Sequence, residues 1–201
     1  MTTEKEKSDT EEQILWQRFQ GKSNTDDVLT EKAKFLAAAI MDVANRGVSE
    51  LIEYFVKDKK VDISKDQMEE VLFETVIFYL HLADRIAFHS ITAEQRHFFM
   101  SIVLNDIIDI FLLNTKLTEE QKLQLIDTMH ATYNERQIEY GNYKKLFSED
   151  GKDGGTLYWE FSDKIANVLV GPKNDIWVMM EVQNVLVRRV KILQLKELFK
   201  E

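Results

Sequence analysis

The stretch KDQMEEVLFETVIFYLHLADRIAFH, residues 65–89, decides the fold. On a helical wheel its apolar side chains point in nearly every direction. Other helices normally enclose a helix with that pattern, because apolar surface is unfavourable in water. The sequence therefore predicts an all-α bundle around a buried central helix over about 65–89.

Capping boxes mark helix starts on both sides of that stretch. In this motif a Ser or Thr and a Gln or Glu three residues later each bond the other's backbone N–H group. The four matches are Thr10–Gln13, Ser64–Gln67, Thr92–Gln95 and Thr118–Gln121. Together with the apolar periodicity they predict about seven helices. Their ranges are 11–20, 28–56, 65–89, 93–114, 119–147, 157–170 and, counted from its cap at Asn174, 174–200.

Two glycines leave alternatives inside those ranges. The apolar series of the second helix keeps its spacing through Gly47, which favours one long helix, bent there or not. A break at Gly47, with Ser49 capping a short extra helix, is the alternative. Gly141 offers an earlier end for the helix over 119–147.

The composition excludes several classes of protein. One proline, seven glycines and no cysteine occur in 201 residues. Disulfide-stapled domains and thiolate metal sites need cysteine, and β-sandwiches need many glycine and proline turns. We expect one helical domain over 10–201, after a disordered acidic and polar tail at 1–9. A glycine-rich loop at 148–155 precedes the last two helices.

The charge and the first residues bear on location and partners. The formal net charge of −9 argues against a broad nucleic-acid-binding surface. The first residues contain no apolar segment of a secretory signal. The longest apolar run, 71–88, is interrupted by four polar or charged residues, which a lipid-facing helix would not tolerate. The sequence predicts a soluble, cytoplasmic protein that binds neither nucleic acid nor membrane.

The polar residues of the central helix are not scattered. Glu74, His81 and Asp84 fall, with Glu70, within roughly 80° of one another on the wheel, and Arg85 lies beside them. The favoured interpretation is that this polar stripe is the helix's solvent-exposed face. The alternative is an inward-facing polar cluster, for which charged partners are obligatory.

Neighbouring helices offer partners for an inward-facing stripe. Asp106 and Asp109 lie within the apolar run of the next helix, and Arg136 lies on an aromatic stripe of the one after it. Arginine suits buried bidentate pairing with carboxylates. The hypothesis is a network of Asp84, Asp106 or Asp109 with Arg85 or Arg136. An ion-pair lock between helices is favoured over catalysis.

The sequence lacks the common motifs for catalysis and for metal or phosphate binding. The chain lacks the two Glu-x-x-His pairs of a di-iron bundle, a Gly-x-Ser-x-Gly elbow and a complete phosphate-binding loop. We therefore assign no catalytic residue and expect no cofactor. Glu74, His81 and Asp84 are at most weak metal-ligand candidates.

The predicted last helix is basic in an acidic protein. Its cations are candidates for contact with a partner, and they are Arg188, Arg189, Lys191 and Lys196. The favoured interpretation is that they complement the helix dipole while the apolar stripe of the helix packs on the core. The alternative is an exposed helix that binds a partner or a second copy.

These observations lead to three functional hypotheses. The leading one is a non-enzymatic interaction protein that self-associates or docks a protein partner. The second is a ligand- or metal-binding bundle, with enzymatic activity left open, that uses the polar stripe. The third is an acidic regulator of a basic partner.

Overall fold

The computed structural model describes residues 16–113, 116–146, 155–171 and 176–200. Within these ranges the ordered elements are helical and no strand occurs, which confirms the all-α fold. Six α-helices are present there, close to the predicted number. They are α1 (Asp26–Lys57), α2 (Lys65–Ser90), α3 (Ala93–Leu113), α4 (Glu119–Gly141), α5 (Leu157–Val170) and α6 (Ile176–Val182).

The predicted caps start these helices. At α2, Gln67 N donates to Ser64 Oγ at 3.2 Å and Ser64 N donates to Gln67 Oε1 at 2.9 Å. The same reciprocal pair starts α4, at Thr118 and Gln121. A third joins Thr92 and Gln95 before α3. Local sequence thus sets these starts, while the predicted box at 10–13 lies outside the described residues.

Helix α1 runs without a break through Gly47, as favoured. A Cβ atom at Gly47 would lie 2.9 Å from Arg189 Cδ and 3.0 Å from Leu186 Cδ2. Glycine is therefore needed here for the close approach of the C-terminal segment, and not for a bend.

Helix α2 packs against α1, α3, α4 and α5. Every residue from Glu74 to Asp84 is buried. Phe78 stacks face to face on Phe161 of α5, with ring centroids 3.9 Å apart. One connected cluster of buried apolar side chains includes members from α1 to α6 and from the C-terminal turns. No helix in the described ranges has the length and apolarity to cross a bilayer.

Two boundary predictions need correction. In place of a helix over 11–20, the described residues from Trp16 onward form a 3₁₀ turn, Gln17–Phe19, and positions 11–15 lie outside the description. Helix α4 ends at Gly141, the alternative noted above, and not at 147. The tail at 1–9 and most of the loop at 148–155 also lie outside the described residues.

The predicted continuous helix over 174–200 is also wrong. After α6, the chain forms a π-helical turn at Gln183–Val187 and a 3₁₀ turn at Val190–Leu193. Tyr79 Oη donates to the Leu186 carbonyl at 2.7 Å, and Trp16 Nε1 donates to the Leu193 carbonyl at 2.9 Å. Side chains from distant parts of the chain thus satisfy these carbonyls, and such insertions commonly accompany departures from α geometry.

Candidate functional site

The polar stripe of α2 faces inward, so the favoured solvent-face interpretation is wrong. Glu74, His81 and Asp84 are only 5%, 3% and 7% exposed. Helices α3 and α4 pack on α2 and supply the partners of these side chains. Each of the three is bound by a different residue, which rules out a single shared cluster.

Glu74 is held by Arg136 of α4. Arg136 Nη2 donates to Glu74 Oε1 at 2.6 Å, and its Nε donates to both carboxylate oxygens at 3.1 Å. The buried Tyr140 hydroxyl donates to Glu74 Oε2 at 3.4 Å. These contacts raise the pKa of Arg136 above its ordinary value, chiefly through the hydrogen bonds to Glu74. The pair ties α4 to α2.

Asp84 is bound by Arg96, which sequence reasoning missed. Arg96 Nε and Nη2 donate to the two Asp84 oxygens at 2.6 and 2.5 Å. This bidentate pair raises the pKa of Arg96. The sequence offered one signal for this pair. The connection between α2 and α3 has only two residues, 91–92, so Arg96 at the start of α3 lies near Asp84 at the end of α2.

The other predicted partners do not join these pairs. Arg85 donates to the carbonyls of Tyr143 and Lys144, at 2.7 and 3.1 Å, just beyond the end of α4. Asp106 is half-buried and Asp109 is exposed. Within the described chain, neither aspartate forms a hydrogen bond or an ion pair through its side chain, so the expected network with them does not form.

His81 is the exception in the stripe, because one of its ring nitrogens is left without a partner. Its Nδ1 lies 2.7 Å from Gln137 Oε1. An amide oxygen only accepts, so Nδ1 carries the hydrogen and Nε2 carries a free lone pair. Within the described residues, buried His81 Nε2 and Gln137 Nε2 have no hydrogen-bond partner. Burial lowers the pKa of His81, which is therefore neutral at physiological pH.

His81 and Gln137 line a cavity of about 860 Å³ bounded by α2, α3 and α4. All four histidines of the chain line it, namely His81, His89, His97 and His130. Arg85 and the Asp84–Arg96 pair belong to its wall, with Tyr133 and Asn134 of α4. Burial raises the pKa of Tyr133, so its hydroxyl stays protonated. We refer to this space as the histidine cavity.

The weak metal candidates do not come together. Glu74 binds Arg136, Asp84 binds Arg96 and His81 binds Gln137. Across the described ranges, no three His, Asp or Glu side chains are arranged to hold one metal ion. The chemistry that the histidine cavity can offer is therefore hydrogen bonding and charge.

The basic C-terminal residues divide into two groups. Arg189 is half-buried and forms an ion pair with Glu50 of α1. Arg188, Lys191 and Lys196 are exposed beside a second, larger groove. The apolar stripe of this segment is buried: Val182, Val185, Leu186, Leu193 and Phe199. The apolar stripe of the segment therefore packs on the core, as favoured, while these three cations face outward.

Comparison with family models, with curated proteins and with solved structures gives no match.

Proposed function

We propose that the protein is a ligand-binding helical bundle whose ligand occupies the histidine cavity. The observation that carries this proposal is His81 Nε2, a buried lone pair without a partner beside a cavity of about 860 Å³. Leaving a buried polar atom unsatisfied costs about 1–3 kcal/mol. A ligand that donates a hydrogen to Nε2, after a turn of the imidazole exposes this atom to the cavity, recovers that free energy.

The wall of the cavity indicates the class of ligand. His81 Nε2 accepts, so the ligand needs a hydroxyl or N–H group. Among the described residues Gln137 Nε2 has no acceptor, and Asp84 supplies the one carboxylate of the described wall, beside Arg85 and Arg96. An anionic or acceptor group on the ligand complements that surplus of donors. A small hydroxylated anion, carboxylate or phosphate, meets both requirements, and the cavity has the size of ordinary small-molecule sites.

The experiment is calorimetric titration with two probes, malate for hydroxycarboxylates and glycerol 3-phosphate for phosphorylated polyols. We expect one of them to bind and His81→Leu to weaken its affinity by about tenfold or more. Gln137→Leu should do the same, since it removes the hydrogen bond that orients the imidazole.

The matched control is Gln124→Leu, at an exposed glutamine of the same helix. It should leave the affinity unchanged, with all variants folded by circular dichroism. Equal affinities of His81→Leu and Gln124→Leu would refute the assignment of the site. Absence of binding by both probes would refute the hydroxylated-anion class.

A further inference from the structure

A second groove shares Arg85 and His89 with the histidine cavity, and the rest of its described lining is separate. It has a volume of about 1040 Å³ and lies between α2, Tyr158 of α5 and the C-terminal turns. Its apolar wall combines the buried Leu82, Val187 and Leu195 with the half-buried Ile86 and Val190. We refer to it as the cationic groove, for the following reason.

The rim of this groove is positively charged, although the chain as a whole is negatively charged. Arg188, Lys191 and Lys196 line it and are exposed. None of the three forms an ion pair within the described part of the chain. Glu197 is the one carboxylate in the described lining, and it already accepts a hydrogen bond from Lys200 at 2.6 Å. The whole chain carries a net charge of −9, so this concentration of cations is local.

We propose that the cationic groove docks an acidic amphipathic helix from a protein partner. An aliphatic floor accepts leucine-like side chains at helical spacing, and separated rim cations match carboxylates on the flanks of the same helix. Three cations without ion pairs suit several carboxylates along a segment better than the single carboxylate of a fatty acid.

Other macromolecules fit the groove less well. The apolar side chains form the wall of a concavity and do not protrude, so they are not placed to insert into a bilayer. Single-stranded nucleic acid is bound by exposed aromatic stacking platforms, whereas most of this wall is aliphatic and Trp16 is buried within it. The negative charge of the chain opposes both a nucleic acid and an anionic lipid surface.

The probe is a fluorescein-labelled synthetic helix built from leucine and glutamate, with leucine at the i, i+3, i+4 and i+7 positions. Fluorescence anisotropy against the full chain should show saturable binding. The affinity should fall by about tenfold between roughly 50 and 300 mM salt, because the rim contacts are exposed to solvent. The same helix with lysine in place of glutamate should not bind.

The charge reversal R188E/K191E/K196E should weaken binding of the acidic helix by about tenfold or more. The matched control K34E/K59E/K116E reverses three exposed lysines outside the groove, and it should change the affinity less than about twofold. If the reversal variant is less folded by circular dichroism, R188Q/K191Q/K196Q replaces it and should weaken binding in the same direction.

Several results would overturn the proposal. One is that the two triple variants bind the acidic helix with equal affinity. Another is that the lysine helix binds as tightly as the glutamate helix. A third is that dodecanoate, at the same concentration as the probe, displaces it. Displacement by a peptide of residues 1–15, which precede Trp16 in the groove wall, would assign the groove to this chain instead of a partner. Loss of malate binding in His81→Leu leaves the prediction for this groove unchanged, so the two proposals fail separately.

Discussion

Replacing Arg136 by methionine should destabilise the protein strongly, because it leaves the buried carboxylate of Glu74 without its cationic partner. The Glu74 side chain is 7% exposed, and three of the four hydrogen bonds to it come from Arg136. Only the long contact from Tyr140 remains in the variant. Removing one partner of a buried ion pair costs about 3–5 kcal/mol. For a chain of this length that free energy lowers the melting temperature by roughly 10 °C.

The reciprocal change should cost less, because Arg136 has other partners. Its Nη1 donates to Glu139 Oε2 at 3.0 Å and to Glu135 Oε1 at 3.3 Å. In Glu74→Gln the guanidinium keeps these carboxylates, and the amide preserves the shape of the side chain. We expect a loss of about 1–2 kcal/mol.

Urea unfolding followed by circular dichroism measures both losses. The matched control is Arg46→Met in α1, where Arg46 pairs with Asp42 and the side chains are 71% and 54% exposed. A pair so exposed contributes about 0.5 kcal/mol or less. The reasoning is refuted if Glu74→Gln costs as much as Arg136→Met, or if Arg136→Met costs no more than Arg46→Met.

Two further predictions concern buried side chains. Burial lowers the pKa of His81, so the unfolded chain binds more protons than the folded one below about pH 6.5. Stability that is present above that pH should be lost as the pH falls through the pKa of His81 in the folded protein. The wild type should therefore lose more free energy of unfolding than His81→Leu between pH 7 and pH 5. Equal losses in the two proteins would contradict this. Tyr79→Phe removes the donor to the Leu186 carbonyl and should cost about 1–3 kcal/mol in the same urea assay. Tyr54→Phe, at a hydroxyl without a hydrogen bond in the described chain, should cost less than about 0.5 kcal/mol, and equal costs for the two variants would contradict the role of this contact.

Local rules were sufficient for the capped helix starts and for both ends of α5. Ser64 and Thr118 start their helices because a capping box needs only residues within one turn of each other. The bounds of α5, Leu157–Val170, follow from Thr156 at one end and Gly171 at the other in the same way. The sequence interpretation was reliable wherever the determining groups are close along the chain.

Long-range partners were beyond the same rules. A helical wheel shows that Glu74 and Asp84 share a face with His81, but not whether that face meets water or another helix. Arg136 lies 62 residues from Glu74, and Tyr79 lies 107 residues from the carbonyl it binds in the π-helical turn. The burial of the stripe and the irregular C-terminus depend on such pairs. Arg136 was a candidate from its residue type and its place on an aromatic stripe, whereas Gln137 offered no such signal.

Helix α4 is attached to the rest of the molecule through few buried side chains, and this has a consequence for ligand binding in the histidine cavity. Of its 23 residues only Met129 and Tyr140 are buried, and it is joined to α2 by the Arg136 and Gln137 hydrogen bonds and by the Tyr140 ring, which contacts Phe78 and His81. So little apolar burial gives a low free energy for local opening, and the backbone amides of α4 should exchange with solvent faster than those of α1. Detachment of α4 removes one wall of the cavity while the rest of the core stays packed. A ligand bound in the cavity contacts this wall, so it should slow hydrogen exchange in α4 more than in the other helices.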